Sequence, residues 1–281
     1  MDREKIELTP VQKTMLATLY ARALDSRAPH SILGDRTADE AVGRIDYDWR
    51  KTGTQAPWDA AMLALRARQL DRWTAEFLAA YPQATVLHLA CGLDTRVHRQ
   101  VPSSSVRWLD VDYPEVIDLR RRLLPHPGGD YRMLGTSVTD EGWLEEIPAD
   151  RPTVAVFEGL TMYLHEEEGR RLIERICERF TDGQLLFDCF STRLVRWSRR
   201  FWWMGGRLRE VARSWHWGID DPRALEGWHA GLEYVDDLYV VDQPDVDKLP
   251  TAARLGLRLG ARFGGRDSGR VLRYRFQSRA D

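Results

Sequence analysis

The chain has 281 residues, of which 43% are hydrophobic and 30% are charged, a composition typical of an ordinary globular protein. This length permits one large domain with an insertion. The formal net charge of −2 gives no reason to expect a nucleic acid or another polyanion as a partner. The three cysteines are scattered and lack the spacing of a metal site, so we predict no bound metal.

The chain shows no targeting or membrane signal. Its first residues, MDREKIELTP, are charged and lack the apolar core of a signal peptide. No run of about eighteen apolar residues occurs, as a membrane-spanning helix would need. We therefore expect a cytoplasmic protein.

Two helices are predicted before the first long strand. Residues 10–26 and 57–81 carry apolar positions at helical spacing, and Pro82 ends the second pattern. The polar stretch between them contains several glycines and is expected to wrap over the edge of a ligand site. We interpret residues 1–82 as an N-terminal helical cap.

The segment 84–114 predicts two strands around a tight turn. Ala84–Ala90 is an apolar run typical of a buried strand, and the turn at Cys91 and Gly92 lets the backbone approach a ligand. A second strand, Val106–Asp112, ends on acidic residues about twenty positions after the turn. A carboxylate there suits the hydroxyls of a ribose. Because the full G-x-G-x-x-G is missing, we favour a smaller adenosine-bearing cofactor over the dinucleotide of a dehydrogenase.

Strands and helices continue to alternate up to residue 190. Further strands are predicted at Tyr131–Leu134, Thr153–Phe157 and Gln184–Phe190, and an amphipathic helix at Glu166–Arg179. This alternation predicts an α/β fold with a doubly wound parallel sheet, in which residues 84–190 form the cofactor-binding core. Residues 232–281 are expected to add the final two strands.

Three blocks of sequence resemble the leucine carboxyl methyltransferase family, especially its bacterial polyketide O-methyltransferase branch. They are Val86–Arg99 (VLHLACGLDTRVHR), Leu109–Leu119 (LDVDYPEVIDL) and Phe157–Leu164 (FEGLTMYL). The upstream segment Ala21–Ala38 is similar to the cap of that family. The resemblance covers about residues 15–190 and implies a class I, Rossmann-like fold. It also implies a mostly parallel seven-stranded sheet, an antiparallel last strand and S-adenosylmethionine (SAM) as cofactor.

The resemblance also assigns residues to the cofactor. It implies that Arg66 pairs with the carboxylate of SAM, as a planar guanidinium does well, with Arg22 as a second candidate. It aligns Asp112 with the ribose, and Glu158, at the end of a strand, is expected to face the methionine amino group. The remaining predicted cofactor residues belong to the turn and to the loop near the adenine: Ala90, Cys91, Gly92, Ser137 and Val138.

Two of these positions depart from the family pattern. Ala90 replaces the first glycine of the turn, and we expect alanine to be tolerated there if its φ is negative. Ser137 stands where the family often has an aspartate near the adenine amine, and Asp140 is the alternative if the loop shifts. A serine can still accept a hydrogen bond at this place.

Residues 191–231 have an unusual composition. Six of the eleven tryptophans lie between Trp197 and Trp228, with arginines interleaved. We interpret the segment as a lid insertion and predict that Trp202 or Trp203 lines an apolar acceptor pocket. A membrane-surface helix and stacking on nucleic acid bases are alternatives, which the balanced charge disfavours.

Together these features predict a SAM-dependent O-methyltransferase acting on a small, largely apolar, natural-product-like acceptor. A carboxylate acceptor, with a pKa near ~4, arrives ionised, whereas a phenol, with a pKa near ~10, needs a base. No histidine is clearly placed as a base, which favours the carboxylate, and Tyr20 and Tyr163 are positioning candidates. The alternative function is a non-catalytic SAM-binding protein in a biosynthetic complex.

Overall fold

The computed structural model describes residues 4–5, 12–52, 57–200, 211, 213–249, 251–262 and 269–277. In these residues, helices cover both faces of one large sheet. The helices are α1 (Gln12–Ser26), α2 (Arg36–Arg44), α3 (Pro57–Ala80), α4 (Arg96–Gln100), α5 (Pro114–Leu123), α6 (Glu166–Arg179), α7 (Thr192–Arg200) and α8 (Thr251–Arg262). The strands are β1 (Glu4–Lys5), β2 (Ile45–Asp46), β3 (Thr85–Leu89), β4 (Arg107–Asp112), β5 (Asp130–Gly135), β6 (Thr153–Phe157), β7 (Asp182–Cys189), β8 (Leu232–Tyr239) and β9 (Arg270–Gln277).

The large sheet has seven strands in the order β5-β4-β3-β6-β7-β9-β8. Strands β3 to β7 are parallel, whereas β9 runs antiparallel to both of its neighbours. This arrangement confirms the predicted Rossmann-like α/β fold, including the antiparallel last strand. The short strands β1 and β2 form a separate parallel pair.

Alternate residues of the central strands build two core layers, because successive side chains of a strand point to opposite faces. On one face, Leu87 and Leu109 pack in the same cluster as Ile173 of α6. On the other face, Val86 and Trp108 belong to the cluster of α3. Both faces are therefore covered, which explains why these strands read as continuous apolar runs.

The N-terminal cap contains a helix that periodicity did not predict. Helix α2 buries only a narrow stripe of small residues, so its sequence reads as a polar loop. Its start is set by Asp35, whose carboxylate accepts the N–H of Ala38 at 3.0 Å. The same carboxylate accepts bonds from Thr95 and Arg99, which follow β3. The cap is thus bonded directly to the loop that begins the cofactor motif.

None of the helices within the described ranges has both the length and the apolar character needed to cross a membrane.

Candidate active site

A cavity of about 360 Å³ runs along the carboxyl ends of the parallel strands. One part of its lining comes from the ends of β5, β4, β3, β6 and β7, which are adjacent in that order, and another part from α1 and α3. Neighbouring strands lie about 4.8 Å apart, so the row from β5 to β7 spans roughly 19 Å. Ligands of open α/β sheets bind at this edge, and the volume is in the range of small-molecule sites, about 300–1,000 Å³.

Every predicted cofactor residue lines this cavity. They are Arg22, Arg66, Ala90, Cys91, Gly92, Asp112, Ser137, Val138 and Glu158. Of the four acceptor candidates, Tyr163 lines it as well. Tyr20 is not among the lining residues and stacks on Trp49 at 5.2 Å between ring centroids. Trp202 and Trp203 lie outside the described residues, so their proposed role stays a prediction.

The turn after β3 has a left-handed backbone. Gly92 has φ +48°, and a Cβ there would lie 3.1 Å from Cγ of Met15. Ala90 also has φ +48°, so the condition under which an alanine was expected to be tolerated here, a negative φ, is not met. The turn is held from below by Arg120, whose Nη1 donates to the carbonyl oxygens of Gly92 and Asp94, both at 2.8 Å. These bonds hold the residues that follow Ala90, which itself adopts a conformation that normally favours glycine.

Asp112 ends β4 beside this turn. Its Oδ2 accepts the N–H of Gly92 at 2.7 Å, and its Oδ1 accepts the N–H of Tyr113 at 2.8 Å. Burial raises the pKa of Asp112, while these two N–H groups act in the opposite direction. Each carboxylate oxygen has a second lone pair for a ligand hydroxyl, so the geometry suits the ribose.

The loop after β5 places Ser137 and Asp140 differently. Ser137 lines the cavity, and its hydroxyl lies 2.8 Å from that of Thr139. Asp140 is exposed and is not among the lining residues, and its Oδ2 accepts the N–H of Ser137 at 3.2 Å. Of the two alternatives for the adenine, the structure places Ser137 at the cavity and Asp140 under the loop backbone.

Glu158 is surrounded by three arginines. Its Oε1 accepts from Arg22 at 3.1 Å and from Nη2 of Arg66 at 3.0 Å, and its Oε2 accepts from Arg96 at 2.6 Å. Burial opposes the ionised form, but Arg66, Arg22 and Arg96 together lower the pKa of Glu158. The three arginines therefore hold the ionised carboxylate of Glu158 in one orientation.

Asp188, at the end of β7, completes this group from the other side. Its Oδ2 accepts from Nη1 of Arg66 at 2.9 Å, and its Oδ1 accepts the N–H of Gly159 at 2.6 Å. Burial raises the pKa of Asp188, and Arg66 counteracts that effect. Asp188 and Arg96 were not found from the sequence, because an ion pair between distant segments leaves no local pattern.

Beneath the site, Asp110 connects several buried polar groups. It accepts bonds from Nε1 of Trp108 at 3.0 Å and the hydroxyl of Tyr131 at 2.6 Å, and it pairs with Arg120. Nδ1 of His88 lies 2.9 Å from its Oδ1. Burial opposes ionisation, but Arg120 and these hydrogen bonds lower the pKa of Asp110. Asp110 thus supports the strands, while Asp112 faces the cavity.

The β7 end of the cavity is aromatic. Phe190 and Trp215 meet edge-on with their centroids 4.8 Å apart. Burial raises the pKa of the Tyr163 hydroxyl, which lies beside Trp215 and Thr14. Apart from Tyr163, these cavity residues were not predicted from the sequence, because a count of tryptophans does not tell which of the six lines a cavity.

These residues fit SAM. The left-handed turn at Gly92 carries no side chain of its own, and Asp112 presents carboxylate oxygens beside it. Arg66 and Glu158 offer opposite charges for the carboxylate and the ammonium of the methionine part. Val138 supplies buried apolar surface near the expected adenine. The fold and cavity thus define a class I SAM-dependent methyltransferase.

Comparison with known proteins agrees with this class. Residues 15–177 match the leucine carboxyl methyltransferase family. The chain is 43% identical over 274 residues to the tetracenomycin polyketide synthesis O-methyltransferase TcmP of Streptomyces glaucescens, covering 97% of this chain and 99% of that protein. It is 34% identical over 261 residues to the SAM-dependent methyltransferase dpfgK of Gibberella zeae, with 86% of each chain covered.

Solved structures share the fold at low sequence identity. A DUF574 family protein from Streptomyces avermitilis gives a TM-score of 0.54 at 15% identity, over 92% of this chain and 97% of that one. Magnesium protoporphyrin IX methyltransferase from Synechocystis, with S-adenosylhomocysteine (SAH) bound, gives 0.51 at 11% identity, over 87% and 94%. The chain belongs to the leucine carboxyl methyltransferase family. The predicted enzyme class, a SAM-dependent O-methyltransferase, is confirmed.

Proposed function

We propose that this enzyme methylates a carboxylate on a small, planar, apolar acceptor. The observation that carries the proposal is the chemistry of the cavity wall. At the β7 end that wall is aromatic, formed by Tyr163, Phe190 and Trp215. Because the other end of the cavity offers the turn and carboxylate for a nucleoside, the aromatic end is where an acceptor would approach the methyl donor.

The ionisable groups of the cavity support a carboxylate acceptor. Asp94 and Glu158 are held by arginines, and Asp112 accepts two backbone N–H groups. Burial raises the pKa values of Cys91 and Tyr163, which makes both weaker acids. His88 lies between two carboxylates, 2.9 Å from Asp110 and 3.6 Å from Asp94. An acceptor that arrives ionised suits such a site, because it needs no proton acceptor.

The names of one relative and of the matching family agree with this acceptor class. The relative that is 43% identical is named for polyketide synthesis, and the matching family is named for carboxyl methylation. Aromatic polyketides combine planar rings with acidic oxygens, which fits an aromatic pocket. The same relative and family support a catalytic role rather than that of a non-catalytic SAM-binding protein.

In this mechanism the main role of the protein is to hold and orient SAM and the acceptor. Bound SAM supplies an electrophilic methyl group on its sulfonium. Arg66 and Glu158 would fix the amino acid end and Asp112 the ribose, so that the donor points along the cavity toward β7. The aromatic wall would exclude water and hold the acceptor oxygen in line, an effect that can supply roughly 7–11 kcal/mol at best.

The product and its pH dependence test the proposal. Aromatic carboxylic acids and matched phenols should be incubated with enzyme and SAM, and the products identified by mass spectrometry. We expect a methyl ester, which alkali cleaves, formed at a rate nearly constant from about pH 6 to 9, since the acid is ionised throughout. An alkali-stable ether, formed at a rate that rises about tenfold for each unit by which the pH increases toward the phenol pKa of ~10, would contradict the proposal.

A further inference from the structure

The segment 215–219 is held between the ends of β6 and β7. The N–H of His216 donates to the carbonyl oxygen of Met162 at 2.7 Å, and the N–H of Ile219 donates to that of Phe190 at 2.8 Å. The hydroxyl of Thr192 donates to the carbonyl oxygen of Gly218 at 3.1 Å. These backbone bonds fix the segment against the two strands that border the acceptor end of the cavity.

The buried side chain of this segment leaves little room for adjustment. Trp217 is 5% exposed and packs against Gly169 of α6, where an added Cβ would lie 2.3 Å from Cζ3 of the indole. The indole also packs against that of Trp228, with 5.6 Å between the ring centroids. Because protein interiors are close-packed, a displacement of one side chain is transmitted to those packed against it. A shift of Trp217 would therefore move its neighbours along the chain.

Trp215, two residues earlier, is the member of the segment that lines the cavity. Its indole meets Phe190 edge-on, with 63° between the ring planes, and it lies beside the Tyr163 hydroxyl. Two rings at this angle can present the face of one and the edge of the other to a ligand. Aromatic ligands gain from such offset or edge-on contacts, whereas a linear alkyl chain gains only buried area.

We infer that Trp215 selects a planar acceptor over a linear one, and that Trp217, seated on Gly169, sets the position of Trp215. The inference rests on the proposed function, since it specifies the acceptor of that site. It assigns selectivity to one tryptophan of the insertion and makes Gly169, on α6, a positioning residue.

Equilibrium binding of two acids in the presence of SAH tests Trp215. The probes are an anthracenecarboxylic acid, which is planar, and decanoic acid, which is linear. We expect Trp215→Ala to weaken the planar acid about tenfold and the linear acid less than about twofold, with SAH affinity unchanged. Trp215→Phe should recover part of the loss. Trp197→Ala, which removes a half-exposed tryptophan of α7, should change neither acid.

Gly169→Ala tests the positioning role. We expect it to reduce the preference for the planar acid about threefold, without changing SAH affinity. Adding Trp217→Phe, which shortens the ring that meets the new Cβ, should restore the preference. Thermal unfolding of each variant should show a folded protein.

Two results would overturn the inference. One is an equal loss of both acids in Trp215→Ala and Trp215→Phe, and the other is a preference in Gly169→Ala that the second substitution does not restore. Because these are binding measurements, they are judged independently of the product. A wild-type enzyme that forms no methyl ester would instead refute the proposed function.

Discussion

Arg66 donates to Oε1 of Glu158 through two nitrogens, Nε at 3.2 Å and Nη2 at 3.0 Å. Its Nη1 donates to Asp188, so the described contacts use three of its five N–H groups. One N–H on each Nη then points away from these partners. A ligand carboxylate could take both, while Glu158 keeps the guanidinium in one plane.

Arg66→Ala should weaken SAM binding much more than methylthioadenosine binding. Methylthioadenosine lacks the amino acid part, and hydrogen bonds to charged groups contribute about 1.5–3 kcal/mol. Calorimetry on both ligands gives the difference. The matched control is Arg68→Ala on the same helix, whose side chain is directed toward Asp245 at 4.0 Å. Similar losses for both ligands would show that Arg66 acts through the fold instead.

Asp112→Ala should weaken SAM by at least ~1 kcal/mol, because a charged acceptor for the ribose hydroxyls is removed. The control is Asp140→Ala, which changes an exposed carboxylate outside the cavity lining. Titration calorimetry distinguishes the two. If Asp140→Ala has the larger effect, the assignment of the nucleoside ligands is wrong.

Ala90→Gly should stabilise the protein by about 1 kcal/mol. Left-handed backbone costs a non-glycine residue roughly 1–2 kcal/mol, and the greater flexibility of unfolded glycine offsets part of the gain. Ala84→Gly, at a fully buried alanine without positive φ, should destabilise. Urea unfolding measures both. A less stable Ala90→Gly protein would mean that the methyl group packs favourably enough to outweigh the strain.

Stability should fall in acid partly through Asp110. Its pKa is lowered in the folded protein, so its contribution is present above the unfolded value of ~3.9 and is lost as pH falls toward the folded value. Asp110→Asn leaves Arg120 buried without its carboxylate and should cost about 3–5 kcal/mol at pH 7. The variant should also lose less stability than the wild type as the pH falls below ~4. An unchanged acid slope would assign the acid sensitivity to other carboxylates.

Features that depend on a local sequence pattern could be predicted from the sequence alone. The turn at Gly92, the carboxylate of Asp112 and the alternation of strands are local patterns, and each could be predicted before the fold was known. Partners that depend on packing could not be predicted in this way. Asp188, at the end of β7, meets Arg66 of α3 across 122 residues, and only the packing of α3 against the sheet brings them together.

Other errors have physical causes as well. Helix α2 was missed because its buried stripe consists of small residues, Ala38, Ala41 and Val42. The φ of Ala90 could not be predicted from residue type, because alanine rarely adopts a left-handed conformation. Composition indicated the tryptophan-rich insertion, but the backbone bonds of 215–219 decide that Trp215 reaches the cavity.

The bonds between the cap and the loop after β3 bear on how this protein can be divided. Asp35 and Asp71 of the cap pair with Arg99, and Arg22 pairs with Asp94. A fragment starting at residue 84 would retain these buried charges without their partners, at about 3–5 kcal/mol for each broken pair. Chimaeras made by joining the cap of one relative to the core of another would therefore fail to fold unless both residues of each ion pair are present in the chimaera. Exchange of residues 191–231 leaves these pairs intact, and we expect it to transplant acceptor preference only if Gly169, on which Trp217 packs, is matched as well.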